Sequence, residues 1–356
     1  MRRLLATSSL AVVLAVAALT LVARPAGACA CGIAFDAEVT AERALIQHDG
    51  DRQELILSLD LARPDDATGG SRPAVVLPVP ATPRVTQVDE AQATLFDELD
   101  RATAPLPSSS GGDDDGAAPG AVGGGVDVIS RRTLGAYDVS VLRSGDAGAL
   151  RRWLDRHGYA TPAEAEPVLG SYVRDDWAFV AIRLADGPEA GELSLRPLKV
   201  RFRSDELVYP LELSRVGTAP VSVRLYVAAG HRVVASGFDT FHAGTVAEIA
   251  GDLSPAVRDA LKGGFLTRLE IRNRRPGAIT GDVEPEQAPS DRAFRATTGY
   301  PFESADGFGT APLPDEIDVE EDFDGPPVAA WLLLIPLVAG LMLGVRALLR
   351  RGGRTG

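Results

Sequence analysis

Two long apolar runs, one at each end of the chain, restrict what the protein can fold into. The first covers residues 4–22 and follows two arginines, and the second covers residues 328–345 and precedes four arginines. Uncharged runs of about 18 residues or more are long enough to cross the hydrocarbon core of a bilayer. The chain between them, nearly 300 residues, must therefore build its own hydrophobic core.

The N-terminal run has the three parts of a secretory signal peptide. A positive start precedes the apolar core, and Ala26-Gly27-Ala28 supplies small residues of the A-x-A type. This arrangement predicts a signal peptide over residues 1–28 that is removed before Cys29. Two alternatives fit the same residues: a permanent N-terminal membrane helix, and a lipoprotein whose lipid is attached to Cys29. The lipoprotein signal usually has a large aliphatic residue where this chain has Ala26.

The C-terminal run predicts a retained membrane anchor. Residues 328–345 carry no charge, and the helix can extend to residue 349 if Arg346 reaches the interface. The arginines that follow place the tail, residues 350–356, in the cytoplasm by the positive-inside rule. A cell-wall sorting signal would need Leu-Pro-x-Thr-Gly, but residues 313–317 read Leu-Pro-Asp-Glu-Ile. We therefore expect a single-pass plasma-membrane protein with a transmembrane helix at 328–349 and its N-terminal domain outside.

The net charge of −13 is concentrated in one segment. Residues 276–325 hold 13 acidic side chains and two arginines, so the rest of the chain is close to neutral. Proline, glycine and acid predict a disordered spacer over residues 276–327. A nucleic-acid partner is not expected, because the domain has no basic stripe to neutralise phosphates.

The region 29–275 reads as a β-rich extracytoplasmic domain. Residues 55–61 alternate leucine with other residues, and the turn at 48–51 links them to the strand before, as in a hairpin. A Gly-, Ser- and Asp-rich stretch predicts a flexible insert at 106–126. The fold class expected is α+β, an antiparallel-sheet-rich ectodomain with a few helices plus the C-terminal transmembrane helix. Strands are predicted at 40–47, 54–61, 74–77, 136–143, 177–184, 193–202, 207–214, 222–228, 232–235 and 265–272, and helices at 89–103, 146–157, 162–172 and 254–262.

Several segments together resemble a known family. They are Cys31-Gly32, Val76-Leu77-Pro78-Val79-Pro80, Trp153-Leu154 followed by Gly158-Tyr159, and Tyr172-Val173 before Trp177. The combination is similar to the uncharacterised bacterial family called domain of unknown function 2330, over roughly residues 29–241. The resemblance implies a signal peptide, an ectodomain and often a C-terminal membrane helix, and it implies no activity. This chain has Cys-Ala-Cys-Gly where the family usually has Cys-Gly-Gly, and it lacks the further cysteines of its relatives.

Cys29 and Cys31 are the candidate site that the sequence offers. A C-x-C pair is able to bind copper or zinc, or to form a strained disulfide, and the alternative is a structural role. Metal sites normally use three or four ligands, and the four histidines, His48, His157, His231 and His242, show no spacing motif. The metal prediction is Cys29 and Cys31, and no cofactor is predicted. Three successive aspartates at 113–115 lack the alternation of a calcium loop and read as solvated.

Motifs of hydrolases are missing from the sequence. G-x-S-x-G, H-E-x-x-H and S-x-x-K do not occur. Ser236-Gly237 near Asp239 and His242 is the nearest nucleophile–base cluster, and a turn is the favoured interpretation. The leading hypothesis is a non-enzymatic ectodomain that binds or organises an envelope protein or polymer, with the oligomeric state left open. The alternatives are an envelope hydrolase with an unrecognised site and a metal or redox module built on the cysteine pair.

Overall fold

The described part of the chain is built from two large β-sheets with helices on their outer faces, and β-strands also form one small two-stranded sheet. The computed structural model describes residues 27–29, 31–35, 38–62, 74–106, 127–135, 137–159, 161–184, 196–297 and 303–304. Residues 1–26, the insert from 107 to 126, and the predicted transmembrane helix and tail lie outside the described residues. Within the described residues, no helix combines the length and apolar character needed to span a membrane.

The described chain contains 17 strands, five α-helices and four 3-10 helices. The strands are β1 Gly27–Cys29, β2 Gly32–Phe35, β3 Glu38–Asp49, β4 Arg52–Ala62, β5 Ala74–Val79, β6 Arg84–Gln87, β7 Asp127–Leu134, β8 Tyr137–Arg143, β9 Ala178–Leu184, β10 Leu198–Arg203, β11 Val221–Ala229, β12 Val233–Val234, β13 Asp239–Thr245, β14 Phe265–Arg274, β15 Glu286–Gln287, β16 Phe294–Arg295 and β17 Glu303–Ser304. The α-helices are α1 Leu95–Ala102, α2 Ala147–Arg156, α3 Ala165–Arg174, α4 Val246–Ile249 and α5 Pro255–Ala260. Four 3-10 helices occur in the described chain, at Glu90–Gln92, Glu212–Val216, Ala250–Asp252 and Pro276–Ala278.

Two large sheets organise these strands. A six-stranded sheet has the order β1-β2-β5-β9-β8-β7. A nine-stranded sheet has the order β16-β13-β14-β11-β3-β4-β10-β6, with β17 beside β13. Most neighbours are antiparallel, which confirms the sheet-rich α+β class. One pair was not expected: β11 runs parallel to β3, and it pairs with β14 on its other side.

The fold has four layers in the order helices, sheet, sheet, helices, and an apolar cluster fills each of the three spaces between them. Alternate residues of both sheets, such as Leu57 of β4 and Val180 of β9, meet in the central core. Helices α2 and α3 cover the outer face of the six-stranded sheet, where Trp153 is buried. Helices α1, α4 and α5 cover the outer face of the nine-stranded sheet, where Phe96 packs near Tyr226. Because helices cover the outer faces, β11 is buried on both sides from Leu225 to Ala228, while Ser222 near its start is exposed.

The β3–β4 hairpin confirms the alternating pattern. Asp49 pairs with Arg52, so the turn is limited to Gly50 and Asp51, and His48 lies in the strand. Gly50 has φ +69°, a left-handed conformation that favours glycine. Pro78 lies in β5, inside the six-stranded sheet. The pairing of β5 with β2 ends at Val76, however, so the proline sits at a local edge where no donor is needed.

Several predicted elements differ from the structure. The helix predicted over 89–103 is split into a 3-10 turn and α1, which leaves Ala91 exposed. The helix predicted from residue 146 begins at Ala147, because Asp146 is its N-cap and accepts a hydrogen bond of 2.6 Å from the Ala149 amide. The strand predicted at 207–214 is wrong. That segment makes one bridge, between Tyr209 and Val283, and then forms a 3-10 helix.

The packed region continues beyond residue 275, where the spacer was expected to begin. Ile279 and Val283 belong to the central core, and β15 and β16 pair with β12 and β13. Asp282 holds this segment, because its Oδ1 accepts hydrogen bonds from the Tyr172 hydroxyl at 2.6 Å and from two backbone amides at 2.8 Å. Acidic composition alone therefore did not mark the end of the domain.

Candidate ligand-binding cleft

The sequence-predicted cysteines lie at the start of the six-stranded sheet. The backbone of Cys29 pairs with Gly32 in the β1–β2 ladder, and the side chain of Cys31 is fully buried in the central core. Gly32 is required here, because a Cβ at this position would lie 2.0 Å from the Val76 carbonyl oxygen. Among the described residues, no group of three or more His, Cys, Asp or Glu side chains is arranged to hold a metal ion. A metal site at the cysteine pair stays a prediction.

The nearest nucleophile–base cluster is a turn followed by a strand. Phe238 donates its amide to the Ala235 carbonyl, and Gly237 has φ +74° between them. His242 lies in β13 and is 5 % exposed, with neither ring nitrogen hydrogen-bonded to any described residue. Burial, together with the charges of Arg295 and Arg268, lowers the pKa of His242 to about 4. The imidazole is therefore neutral at pH 7.

A buried ion network joins α1 to the nine-stranded sheet. Glu270 accepts hydrogen bonds from the Nε atoms of Arg268 at 2.9 Å and Arg224 at 2.8 Å. Asp100 accepts hydrogen bonds from Arg224 and from the Tyr226 hydroxyl, both at 2.6 Å. Burial alone would raise the pKa of both carboxyls, but Arg268 and Arg224 beside Glu270, and Arg224 beside Asp100, lower both values. Each carboxylate is partnered within the fold, so we assign the network a structural role.

A cleft opens where the edges of the two sheets face each other. It has a volume of about 210 Å³. One wall is β6, the edge of the nine-stranded sheet, and the other is β7 with its neighbour β8, the edge of the six-stranded sheet. The lining residues are Pro83, Arg84, Val85, Ile129, Ser130, Arg132, Leu134, Val139 and Val141.

The floor of the cleft is the end of the central core. Val139 and Val141 of β8 are buried core residues, and β7 places Arg132 and Ser130 directly opposite them. Directly paired residues in a sheet lie on the same face. Arg132 and Ser130 therefore occupy core-facing positions of the edge strand, and they give an apolar floor a polar rim.

Two arginines at this rim have no partner among the described residues. Arg84 and Arg132 are exposed, and the side chain of neither makes a hydrogen bond or an ion pair within the described chain. Arg131, on the opposite face of β7, approaches the Ser140 hydroxyl at 3.4 Å. Ile129 adds an apolar side chain that is 47 % exposed at the rim. The cleft thus combines buried aliphatic carbons with the guanidinium of Arg132, and Arg84 lies at its rim, which suits a ligand with an apolar part and an anionic group.

A second concavity is more polar. It has a volume of about 510 Å³ and lies between α3 and the 3-10 helix Glu212–Val216. Both signs of charge line it, including the ion pair between Arg215 and Glu212 at 3.1 Å. Because its charges largely oppose one another and polar atoms make up more of its surface than apolar atoms do, it is the weaker candidate.

Sequence reasoning missed the first cleft. Its residues come from three segments, at 83–85, 129–134 and 139–141, and strand β7 was not predicted. The sequence of β7, Asp-Val-Ile-Ser-Arg-Arg-Thr-Leu, lacks a clean alternation because a bulge lies between Val128 and Ser130. The available signal was the absence of acidic residues across 128–137 in an otherwise charged region.

Comparison with known proteins identifies the domain. The family model for an uncharacterized protein conserved in bacteria, DUF2330, matches residues 25–285. The chain belongs to this family. All three segments of the cleft lie inside the DUF2330 match, and its end at residue 285 includes the packed segment around Asp282.

Other comparisons add little. No curated protein matches the chain. The crystal structure of baculovirus P35 has a TM-score of 0.36 and 10 % sequence identity, covering 72 % of this chain and 99 % of that one. At this level of similarity no property of P35 is carried over.

Proposed function

We propose that this DUF2330 protein is a binding protein of the bacterial envelope, anchored to the plasma membrane by residues 328–349. Residues 1–28 support export and the C-terminal arginines support a cytoplasmic tail. The ectodomain then faces a cell-envelope protein or polymer. Alkaline phosphatase fused after the ectodomain should be active, whereas a fusion after residue 356 should be inactive.

The cleft is the proposed binding site. The observation that carries this proposal is the pair Arg84 and Arg132, without partners in the described chain, at the rim of an apolar cleft of about 210 Å³. Guanidinium groups bind carboxylates, sulfates and phosphates through paired, charge-assisted hydrogen bonds. The aliphatic floor adds affinity by removing apolar ligand surface from water. The ligand class is therefore an anion with an adjoining apolar part.

A dye with these two features tests the site. 1-Anilinonaphthalene-8-sulfonate is apolar and anionic, and N-phenyl-1-naphthylamine is its neutral counterpart. The full-length protein in detergent should bind the sulfonate at one saturable site, and the double variant Arg84→Glu and Arg132→Glu should bind it at least about tenfold more weakly. The fluorescence that remains with the double variant in the same detergent gives the background from dye taken up by the micelle.

The single variant Arg132→Glu has a matched control in Arg131→Glu, which makes the same charge change on the other face of β7. This control should leave the affinity for the sulfonate within about twofold of the wild type, because long-range charge effects are screened by salt. Equal losses in Arg131→Glu and Arg132→Glu would show that net charge, and not the cleft, attracts the dye. If the wild type binds the neutral dye as tightly as the sulfonate, the arginines do not contribute to binding.

A further inference from the structure

One wall of the cleft is a sheet edge without a neighbour among the described residues. Strand β7 has eight residues and, of the strands that the structure describes, pairs only with β8. At about 3.4 Å per residue it presents roughly 27 Å of backbone. The backbone donors and acceptors on such an edge form a template on which another extended chain can pair.

The size of the cleft also favours side chains over a whole small molecule. Pockets that enclose drug-sized ligands measure about 300–1,000 Å³, whereas this cleft measures about 210 Å³. It can therefore receive one or two aliphatic side chains from a ligand that lies mostly outside it. An extended polypeptide on the β7 edge has this geometry.

An added strand would cover the cleft directly. It would extend the six-stranded sheet beyond β7, and every second side chain would face the nine-stranded sheet across the cleft. These side chains would meet Val85 of β6 on one side and Arg132 of β7 on the other, with Arg84 at the rim. Successive cleft-facing residues lie two positions apart in the chain, so an aliphatic residue and an acidic residue separated by one position fit the apolar floor and the basic rim.

The charged residues of β7 could instead serve only to prevent edge-to-edge aggregation. Arginines and a bulge on an edge strand commonly have that effect. That role does not require Ile129 to be 47 % exposed beside the cleft. It also does not require a second arginine without a described partner, Arg84, on the opposite wall.

From these observations we propose that the cleft binds an extended acidic polypeptide, which pairs with β7 as an added strand and places carboxylates against Arg84 and Arg132. This inference rests on the proposed function, because it names the ligand class of the same cleft. A lipid with an anionic headgroup has similar chemistry, but it would use neither the backbone of β7 nor the two-residue spacing.

The test begins with a phage-displayed library of random octapeptides, selected on the full-length protein in detergent. The peptides recovered should be enriched in an aliphatic and an acidic residue two positions apart. Their affinity should fall about tenfold or more in Arg132→Glu and stay within about twofold in Arg131→Glu. If no selected peptide depends on Arg132, the inference is overturned.

Backbone methylation of the tightest peptide separates strand pairing from side-chain binding. In an added strand, alternate amides point toward β7 and the others point away. N-methylation of one alternate set should lower affinity at least about tenfold, and methylation of the other set should be tolerated. Equal tolerance of both sets would contradict pairing with β7.

Palmitate provides the third arm and keeps the two proposals distinguishable. If palmitate binds with the same dependence on Arg84 and Arg132 while no peptide does, the polypeptide inference fails and the proposed anion-binding function stands. If no probe distinguishes the wild type from the Arg84→Glu and Arg132→Glu double variant, both proposals fail.

Discussion

Replacing Glu270 with alanine should be one of the most damaging single substitutions in the nine-stranded sheet. The Glu270 side chain is 5 % exposed, and the side chain of Arg268 beside it is 4 % exposed. Removing the carboxylate leaves Arg268 buried without its counter-charge, although Thr103 still accepts two hydrogen bonds from it at 3.2 Å. Breaking a buried ion pair in this way costs about 3–5 kcal/mol. Since a domain is stable by only about 5–15 kcal/mol, Glu270→Ala should remove a large share of the free energy of unfolding.

Urea unfolding followed by tryptophan fluorescence measures this loss, with an unchanged dependence on urea expected if both states keep their compactness. The matched control is Asp97→Ala, which removes a carboxylate that pairs with Arg43 at 2.8 Å but is 63 % exposed. An exposed pair contributes about 0.2–1 kcal/mol. The double variant Arg268→Met and Glu270→Met should lose less than Glu270→Ala alone, because it does not leave Arg268 buried without a counter-charge. If Glu270→Ala and Asp97→Ala lose the same free energy, the buried-network argument is refuted.

Three further substitutions test other parts of the fold. Gly32→Ala should destabilise the protein by at least about 1–3 kcal/mol, because the new Cβ would meet a carbonyl oxygen at 2.0 Å, whereas Gly145→Ala has open space and should change the unfolding midpoint little. His242 has a pKa of about 4 when folded and 6.5 in the unfolded chain, so the unfolded state binds more protons between these values. Stability should therefore fall by about 3 kcal/mol as the pH drops from 6.5 to 4, and His242→Phe should lack that component in urea titrations at several pH values. Tyr172→Phe removes the 2.6 Å hydrogen bond to Asp282 and should cost about 1–3 kcal/mol, with proteolysis near residue 282 accelerated; unchanged cleavage there would contradict the role given to this contact.

Local sequence patterns predicted the strands and helices whose buried residues recur at a regular spacing. The β3–β4 hairpin was predicted because leucines alternate along β4, and the buried face of α2 because Leu150, Trp153 and Leu154 follow the helical period. Strand β7 escaped prediction because its bulge and exposed edge break that period. The segment beyond residue 275 was assigned to the spacer because its acidity outweighs its few core residues, such as Ile279 and Val283.

The candidate sites also differ in whether the sequence alone reveals them. Cys29 and Cys31 attracted attention because a C-x-C pair is visible in one short stretch, and their metal binding is untested. The cleft could not be read from the chain, because Arg84 and Arg132 become neighbours only when the edges of two different sheets face each other. Likewise, nothing local marks Glu270 as the partner of Arg224.

The sequence by itself determined which faces of strands and helices are apolar, the family, and the two ends that predict export and anchoring. These properties depend on neighbouring residues, so composition and spacing carry them. Only the tertiary structure decided that β11 runs parallel to β3, that both sheets are covered on their outer faces, and that two arginines flank an open end of the core. The reason is that pairing between distant strands is selected by the packing of the whole core, for which no single segment carries the information.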